Sequence, residues 1–360
     1  MAEESTLDYI PEGLSDDVKQ KLLALTEESP PDEAPLEVNE YLIRHWCETL
    51  EDGNPLYLDE AFAKSQGFRG LVAPPGSIMT AFTMPFRWPW PPGGREPARH
   101  IHYDIKELLN LPVGIITDVD VENHEPLQVG DRLSVSQRLI SISPGKKTRL
   151  GEGHFWTMER LYRNQHGELV VRERMTAFGY GRANGAEQAA TEAGGGWSPA
   201  VEEAIRGEET GYRPPEFQGR TWESVQEGEE LPELAMPITV TRCVYLASAT
   251  RDFSPQHSNR DYAQQSSKTK DVFLNTPFNM GMVSRLMTDW GGPKSTVRRM
   301  KIAMRGNVCA GDDMTVAGRV TRKYVEDGEH RVDLEITIST QDGPMTPCSA
   351  TLALPSQSDP

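Results

Sequence analysis

The 360-residue chain is short of cysteine, of long apolar runs and of positive charge, and each shortage excludes a class of protein. Its four cysteines, Cys47, Cys243, Cys309 and Cys348, include no C-x-x-C pair and do not match across the repeat described below. Reduced thiols are therefore expected, not a disulfide or metal framework. No apolar stretch approaches the ~20 residues that cross a bilayer. The opening Met1-Ala2-Glu3-Glu4-Ser5 is acidic and carries no apolar signal core, so a cytoplasmic protein without a membrane partner is expected. With 37 Lys and Arg against 54 Asp and Glu, the net charge of −17 argues against nucleic acid or an anionic membrane as the main partner. There is no G-x-S-x-G, no Gly-rich phosphate loop and no nicotinamide-binding fingerprint.

What the chain does have is a segment that occurs twice at an interval of 200. Asp52-Gly53-Asn54-Pro55-Leu56-Tyr57, then Asp59, Phe62 and Ala63, corresponds to Asp252-Phe253-Ser254-Pro255-Gln256-His257, then Asn259, Tyr262 and Ala263. Upstream, Glu37 to Glu40 lies opposite Pro237 to Val240. The chain reads as an acidic extension (1–34), a first domain (35–182), an Ala/Glu/Gly/Pro-rich linker (183–217) and a second domain (218–360).

The second domain is the more legible. A short strand is expected at Ile238 to Thr241 and a short helix at Arg242 to Thr250. A longer helix should start with Thr276 as N-cap and Pro277 in the first turn, present Phe278, Met282, Leu286 and Trp290 on one apolar face, and stop at Gly291-Gly292-Pro293. Then the period falls to two: Met300, Ile302, Met304; Met314, Val316, Val320; and Val332, Leu334, Ile336, Ile338 alternate with polar residues. A helix followed by antiparallel strands apolar on one face describes an α+β fold, a curved sheet wrapped around a central helix. From Asp52 to Asp131 is 79 positions and from Asp252 to Asp312 is 60, so the first copy carries 19 extra residues, expected around Pro85 to Pro92.

The pattern Asp252, Ser254, Pro255, His257, Tyr262, Ala263, with Asn275-Thr276-Pro277 opening the long helix and Gly311-Asp312 before the next strand, resembles the MaoC-like dehydratases, or (R)-specific enoyl-CoA hydratases, in their double hot-dog form. It departs from the family at Ser254, where Asn is usual, and at Asn259, where an acidic residue is usual. The resemblance implies tandem hot-dog folds forming a single-chain pseudo-dimer, with room for a homo-oligomer of that unit. It implies an acyl-CoA thioester as substrate, with coenzyme A arriving as part of it and no further cofactor or metal. Reversible hydration of an enoyl thioester to an (R)-3-hydroxyacyl thioester is the implied reaction. The surroundings of Phe273 and Trp290 look most like members that act on large, steroid-type acyl groups.

Hydration requires a base for water, an acid for the α-carbon and a donor for the enolate oxygen. Asp252 and His257 fit the first two, and the unpaired N–H groups at the helix start, of Asn275 or Thr276, fit the third. Ser254, Phe273 and Phe278 are candidates for the substrate wall. Trp88 and Trp90, with Phe82 and Phe86, either line a wide pocket or fill core. Arg298 and Arg299 either meet the phosphates of coenzyme A or form a solvated strand edge. His100 and His102 would share one strand face as a metal pair lacking further ligands. Tyr57 is a poor base, which makes Asp52 and Tyr57 structural relics. A subunit that only binds acyl thioesters and a hot-dog thioesterase are the competing functions.

Overall fold

The computed structural model describes residues 7–86, 99–181 and 219–357. Its elements are α1 (Asp16–Ala24), β1 (Asp32–Glu33), α2 (Glu40–Leu50), α3 (Pro55–Leu58), α4 (Glu60–Ser65), α5 (Ile101–Leu108), β2 (Val113–Asn123), β3 (Ser134–Ile142), β4 (Lys146–Thr148), β5 (Gly151–Arg163), β6 (Leu169–Gly181), β7 (Leu234–Pro237), α6 (Val240–Thr250), α7 (Arg260–Tyr262), α8 (Thr276–Gly291), β8 (Thr296–Ala303), β9 (Asp313–Glu326), β10 (Glu329–Thr340) and β11 (Gly343–Ala353). Single 3₁₀ turns occur at Pro75–Ser77 and Pro255–His257, among others. The linker at 183–217 lies outside the described residues.

These elements pack as two compact units whose division does not follow the repeat. Residues 7–35, 85–86, 99–125 and 132–181 form one; residues 36–84, 126–131 and 219–357 form the other. The helical segment of the first repeat therefore packs with the second repeat. The first unit holds an antiparallel sheet in the order β1-β3-β5-β6-β2, with β4 folded onto β5. The second holds β7-β9-β10-β11-β8, the same order strand for strand.

Duplication is visible in the hydrogen bonds of the second unit. α2 and α6 begin and end at the same interval of 200, capped by Asn39 on Leu42 N–H (3.0 Å) and by Thr239 on Arg242 N–H (2.9 Å). Both end in a left-handed residue, Glu51 and Arg251, each at φ 55°. Val38 N–H reaches Asp131 O and Ile238 N–H reaches Asp312 O, both at 2.8 Å. Thr239 is thus a cap, so the strand expected at Ile238 to Thr241 lies earlier, at β7, and the helix starts at Val240.

Around the long helix two further corrections apply. Asn275 is the N-cap of α8, because its Oδ1 accepts Phe278 N–H at 3.0 Å; Thr276 takes the first helical position. The helix is also buried on all sides, every residue from Pro277 to Thr288 being so. One side faces β8 to β11, and the other packs on α2 and the Pro75–Ser77 turn. Gly281 allows that approach, since a Cβ there would stand 2.6 Å from Leu50 Cδ1 and 3.1 Å from Trp46 Cζ2. In the first repeat the matching helix is reduced to the Pro75–Ser77 turn, ahead of the insertion expected around Pro85 to Pro92. Pro74 and Pro75 offer neither a cap acceptor nor an N–H, and Pro89, Pro91 and Pro92 lie outside the described residues.

Alternation sets the sheet cores as expected. Val332, Leu334, Ile336 and Ile338 are at most 2% exposed. All four cysteines are free and buried. Among the described residues, no helix is long and apolar enough to cross a membrane.

Candidate active site

The loop after α6 places an aspartate and a histidine together by local rules. Arg251 turns the chain out of the helix, and Asp252 Oδ1 then accepts Ser254 N–H (3.2 Å) and Ser254 Oγ–H (2.7 Å), a side-chain-closed turn. Pro255 opens the 3₁₀ turn that ends at His257. The imidazole is 4% exposed, lies edge-on to Phe273 at 5.0 Å between ring centroids, and has Nδ1 2.7 Å from Phe273 O. A carbonyl only accepts, so Nδ1 carries the hydrogen, and in the neutral form of the ring the lone pair is at Nε2.

That lone pair faces Asp252 Oδ2 at 3.5 Å. Two acceptors cannot bond each other. A molecule with two donor hydrogens satisfies both, and water is the smallest. The start of α8 lies beside this pair, since Asn275 Nδ2 is 3.4 Å from Asp252 Oδ2. In the first turn Phe278 and Asn279 N–H are bonded to Asn275, and Pro277 has none. Thr276 N–H is left without an acceptor among the described residues, as an oxyanion donor should be.

Asp252, Ser254, His257, Phe273, Asn275 and Thr276 thus come together. Phe278 follows in the first turn of α8, 1% exposed. Arg298, on β8, donates to Glu329 through Nε (3.1 Å) and Nη2, and Glu329 also takes two bonds from Arg331, so one carboxylate serves two guanidinium groups. Arg299 is the exposed neighbour on the same strand. Trp88 and Trp90 lie outside the described residues. Phe82 is fully buried and Phe86 is 52% exposed. His100 and His102 lie on no strand: His100 caps α5 and His102 is inside it, where burial lowers its pKa to about 4. Among the described residues, no group of three His, Cys, Asp or Glu approaches metal-binding geometry. A groove of about 580 Å³ between α1 and α5, lined by Val18, Lys21, Leu25 and Glu107, contains no residue of this site.

Thr250 escaped the sequence reading. Its Oγ1 accepts from Asn275 Nδ2 at 2.8 Å while its own hydrogen goes to Leu246 O at 2.6 Å. The available clue was a polar-for-apolar exchange in the repeat, Thr250 against Leu50.

The first copy keeps the turn without the histidine. Asp52 Oδ1 accepts Asn54 N–H at 3.0 Å, but Tyr57 replaces the histidine, and burial holds its hydroxyl well above the usual phenol range. Burial raises Asp52 to about 6, opposed by the Asn54 hydrogen bond and Arg285. Arg285, from α8, donates to Leu50 O (2.6 Å) and Asp289 (3.3 Å); burial, opposed by Arg285 and reinforced by Asp52, raises Asp289 to about 7.

Comparison with known proteins gives a consistent picture. A family described as FAS1-like, dehydratase domain region, matches residues 25–173. The probable enoyl-CoA hydratase alpha subunit of Thermomonospora curvata is 42% identical over 140 residues, 38% of this chain and 43% of that protein. The 3-oxo-4,17-pregnadiene-20-carboxyl-CoA hydratase beta subunit of Mycobacterium tuberculosis is 38% identical over 101 residues, 28% of this chain and 76% of that protein. A solved MaoC-like dehydratase superposes with a TM-score of 0.66 over 92% of this chain and 98% of its own, at 17% identity. A M. tuberculosis protein described as a double hotdog fold does so with 0.57 over 91% and 96%, at 14% identity. The chain spans less than half the length of the T. curvata subunit. It belongs to the MaoC-like dehydratase family, and its fold is the double hot-dog.

Proposed function

We propose that the protein reversibly hydrates an enoyl-CoA thioester to an (R)-3-hydroxyacyl-CoA at the Asp252–His257 site. The observation that carries this reading is the fixed imidazole: Nδ1 tied to Phe273 O, Nε2 opposite Asp252 Oδ2 at 3.5 Å, and the N–H of Thr276 at the adjoining helix start. A water held by both acceptors gives one hydrogen to Nε2 as its oxygen adds to the β-carbon of the enoyl group. Negative charge moves to the thioester oxygen, where Thr276 N–H receives it. The Asp252–His257 pair then returns a proton to the α-carbon, and one water has been added with no change of oxidation state. Dehydration is the same path reversed. Base, acid and oxyanion donor are all groups of the chain, so the reaction as written calls for no metal or redox cofactor.

The pregnadiene-carboxyl-CoA hydratase among the relatives supports a bulky, steroid-type acyl group, and its beta-subunit designation supports assembly with further chains. The test is to incubate the protein with enoyl-CoA and follow the ultraviolet absorbance of the conjugated thioester alongside a thiol reagent. Loss of absorbance without thiol release is the expected result. Thiol release would show a thioesterase, and neither change a binding protein.

A further inference from the structure

The carboxylate of Asp252 is gripped at both oxygens, and one grip comes from the helix that carries the oxyanion donor. Ser254 holds Oδ1 at 2.7 Å through its hydroxyl. Oδ2, the oxygen opposite His257, faces the side-chain amide nitrogen of Asn275 at 3.4 Å. The same nitrogen donates to Thr250 Oγ1 at 2.8 Å, and Asn275 Oδ1 caps Phe278 N–H at 3.0 Å. That cap fixes which end of the amide points where. Asn275 and Thr250 are 3% and 1% exposed, so no bulk water replaces either contact.

The degenerate repeat supplies an internal comparison. The bridge Val72↔Gln128 matches Phe273↔Cys309, and Ala73 N–H to Leu127 O (2.8 Å) matches Leu274 N–H to Val308 O (2.9 Å), which puts Pro74 at the place of Asn275. Leu50 stands at the place of Thr250 and Tyr57 at that of His257. The aspartate and its turn survive there, while imidazole, hydroxyl and amide are all gone. The turn thus occurs in a copy that lacks all three groups.

Building on the hydratase reading, we infer that Asn275 is a positioning residue whose side-chain amide, seated on Thr250, locks Asp252 Oδ2 to the start of α8. The water-holding carboxylate and the Thr276 N–H are thereby fixed in one frame. The hydrogen bonds of the Asn275 side chain go to Thr250, Asp252 and Phe278. Without it Oδ2 can swing away from Nε2, and misplacement on the ångström scale costs about 100-fold in rate.

The test uses Asn275→Asp, which keeps the N-cap acceptor but removes the donor. The expected result is a kcat lower by about 10- to 100-fold with KM nearly unchanged. Thr250→Val should move kcat the same way by less, and Thr250→Ser should restore it. A readout free of turnover comes from the His257 ring, followed by NMR as pH is varied: the added carboxylate in Asn275→Asp should raise its midpoint, and Thr250→Ser should leave it in place. Asn275→Asp with kcat within twofold of wild type, or with an unmoved His257 midpoint, overturns the inference. If that variant does not fold, Thr250→Val indistinguishable from Thr250→Ser overturns it instead. A wild-type chain inert toward every enoyl thioester would overturn the hydratase reading alone, with the titration still deciding the positioning role.

Discussion

Replacing Asp52 by asparagine should stabilise the protein at alkaline pH and do little in acid. Asp52 is 4% exposed and its acid form is favoured in the folded state, the pKa rising from 3.8 to about 6 because burial penalises the charge. Between those two values the folded chain binds the proton more tightly than the unfolded chain, so stability falls as pH rises through the window. At 1.36 kcal/mol per unit the full destabilisation is about 3 kcal/mol at pH 8, with roughly half already present at pH 5. Asparagine keeps an oxygen for the Asn54 N–H, and Arg285 keeps its bonds to Leu50 O and Asp289. Urea unfolding of both proteins at pH 5, 6.5 and 8 should therefore show an advantage for Asp52→Asn that grows by about 1–2 kcal/mol across the series, with m unchanged. Parallel stability curves, or a variant less stable than wild type at pH 8, would refute the reasoning.

Three further outcomes are expected. Gly281→Ala should lower stability by about 1–3 kcal/mol in a thermal or urea melt, because its methyl group would meet Leu50 at 2.6 Å. A fragment starting at residue 219 should self-associate on a sizing column, since it lacks Trp46 and Leu50, which cover one face of α8; a monomeric, fully active fragment would contradict the packing. Initial rates should rise from a four-carbon enoyl-CoA toward medium-chain and ring-bearing substrates, each buried methylene contributing up to ~0.8 kcal/mol; preference for the four-carbon substrate would remove the bulky-acyl reading.

Features written in short stretches of sequence were legible. The interval of 200 reappears as two helices with matching ends, the Asp-x-Ser-Pro-x-His spacing as a real pair, and the two-residue alternation as the strands of the second unit. Misreadings arose where a distant partner decides. Asn275 became the cap because its amide is also held by Thr250, 25 positions earlier. Arg298 allowed two readings, phosphate contact or solvated strand edge, because its bond to Glu329, 31 positions on, was out of sight. His100 and His102 fit a strand as easily as the first turn of a short helix, and only the tertiary setting chooses. The packing of residues 36–84 with the second repeat has no local sign at all.

The central claim is that one half of a duplicated chain performs the hydration. It is tested most directly by comparing His257→Ala and Asp252→Ala with Tyr57→Phe and Asp52→Asn in a single enoyl-CoA hydration assay. Removal of the base group should lower kcat by about 10²–10⁴ in the first pair, while the second pair stays close to wild type. A Tyr57→Phe protein as inactive as His257→Ala would contradict it.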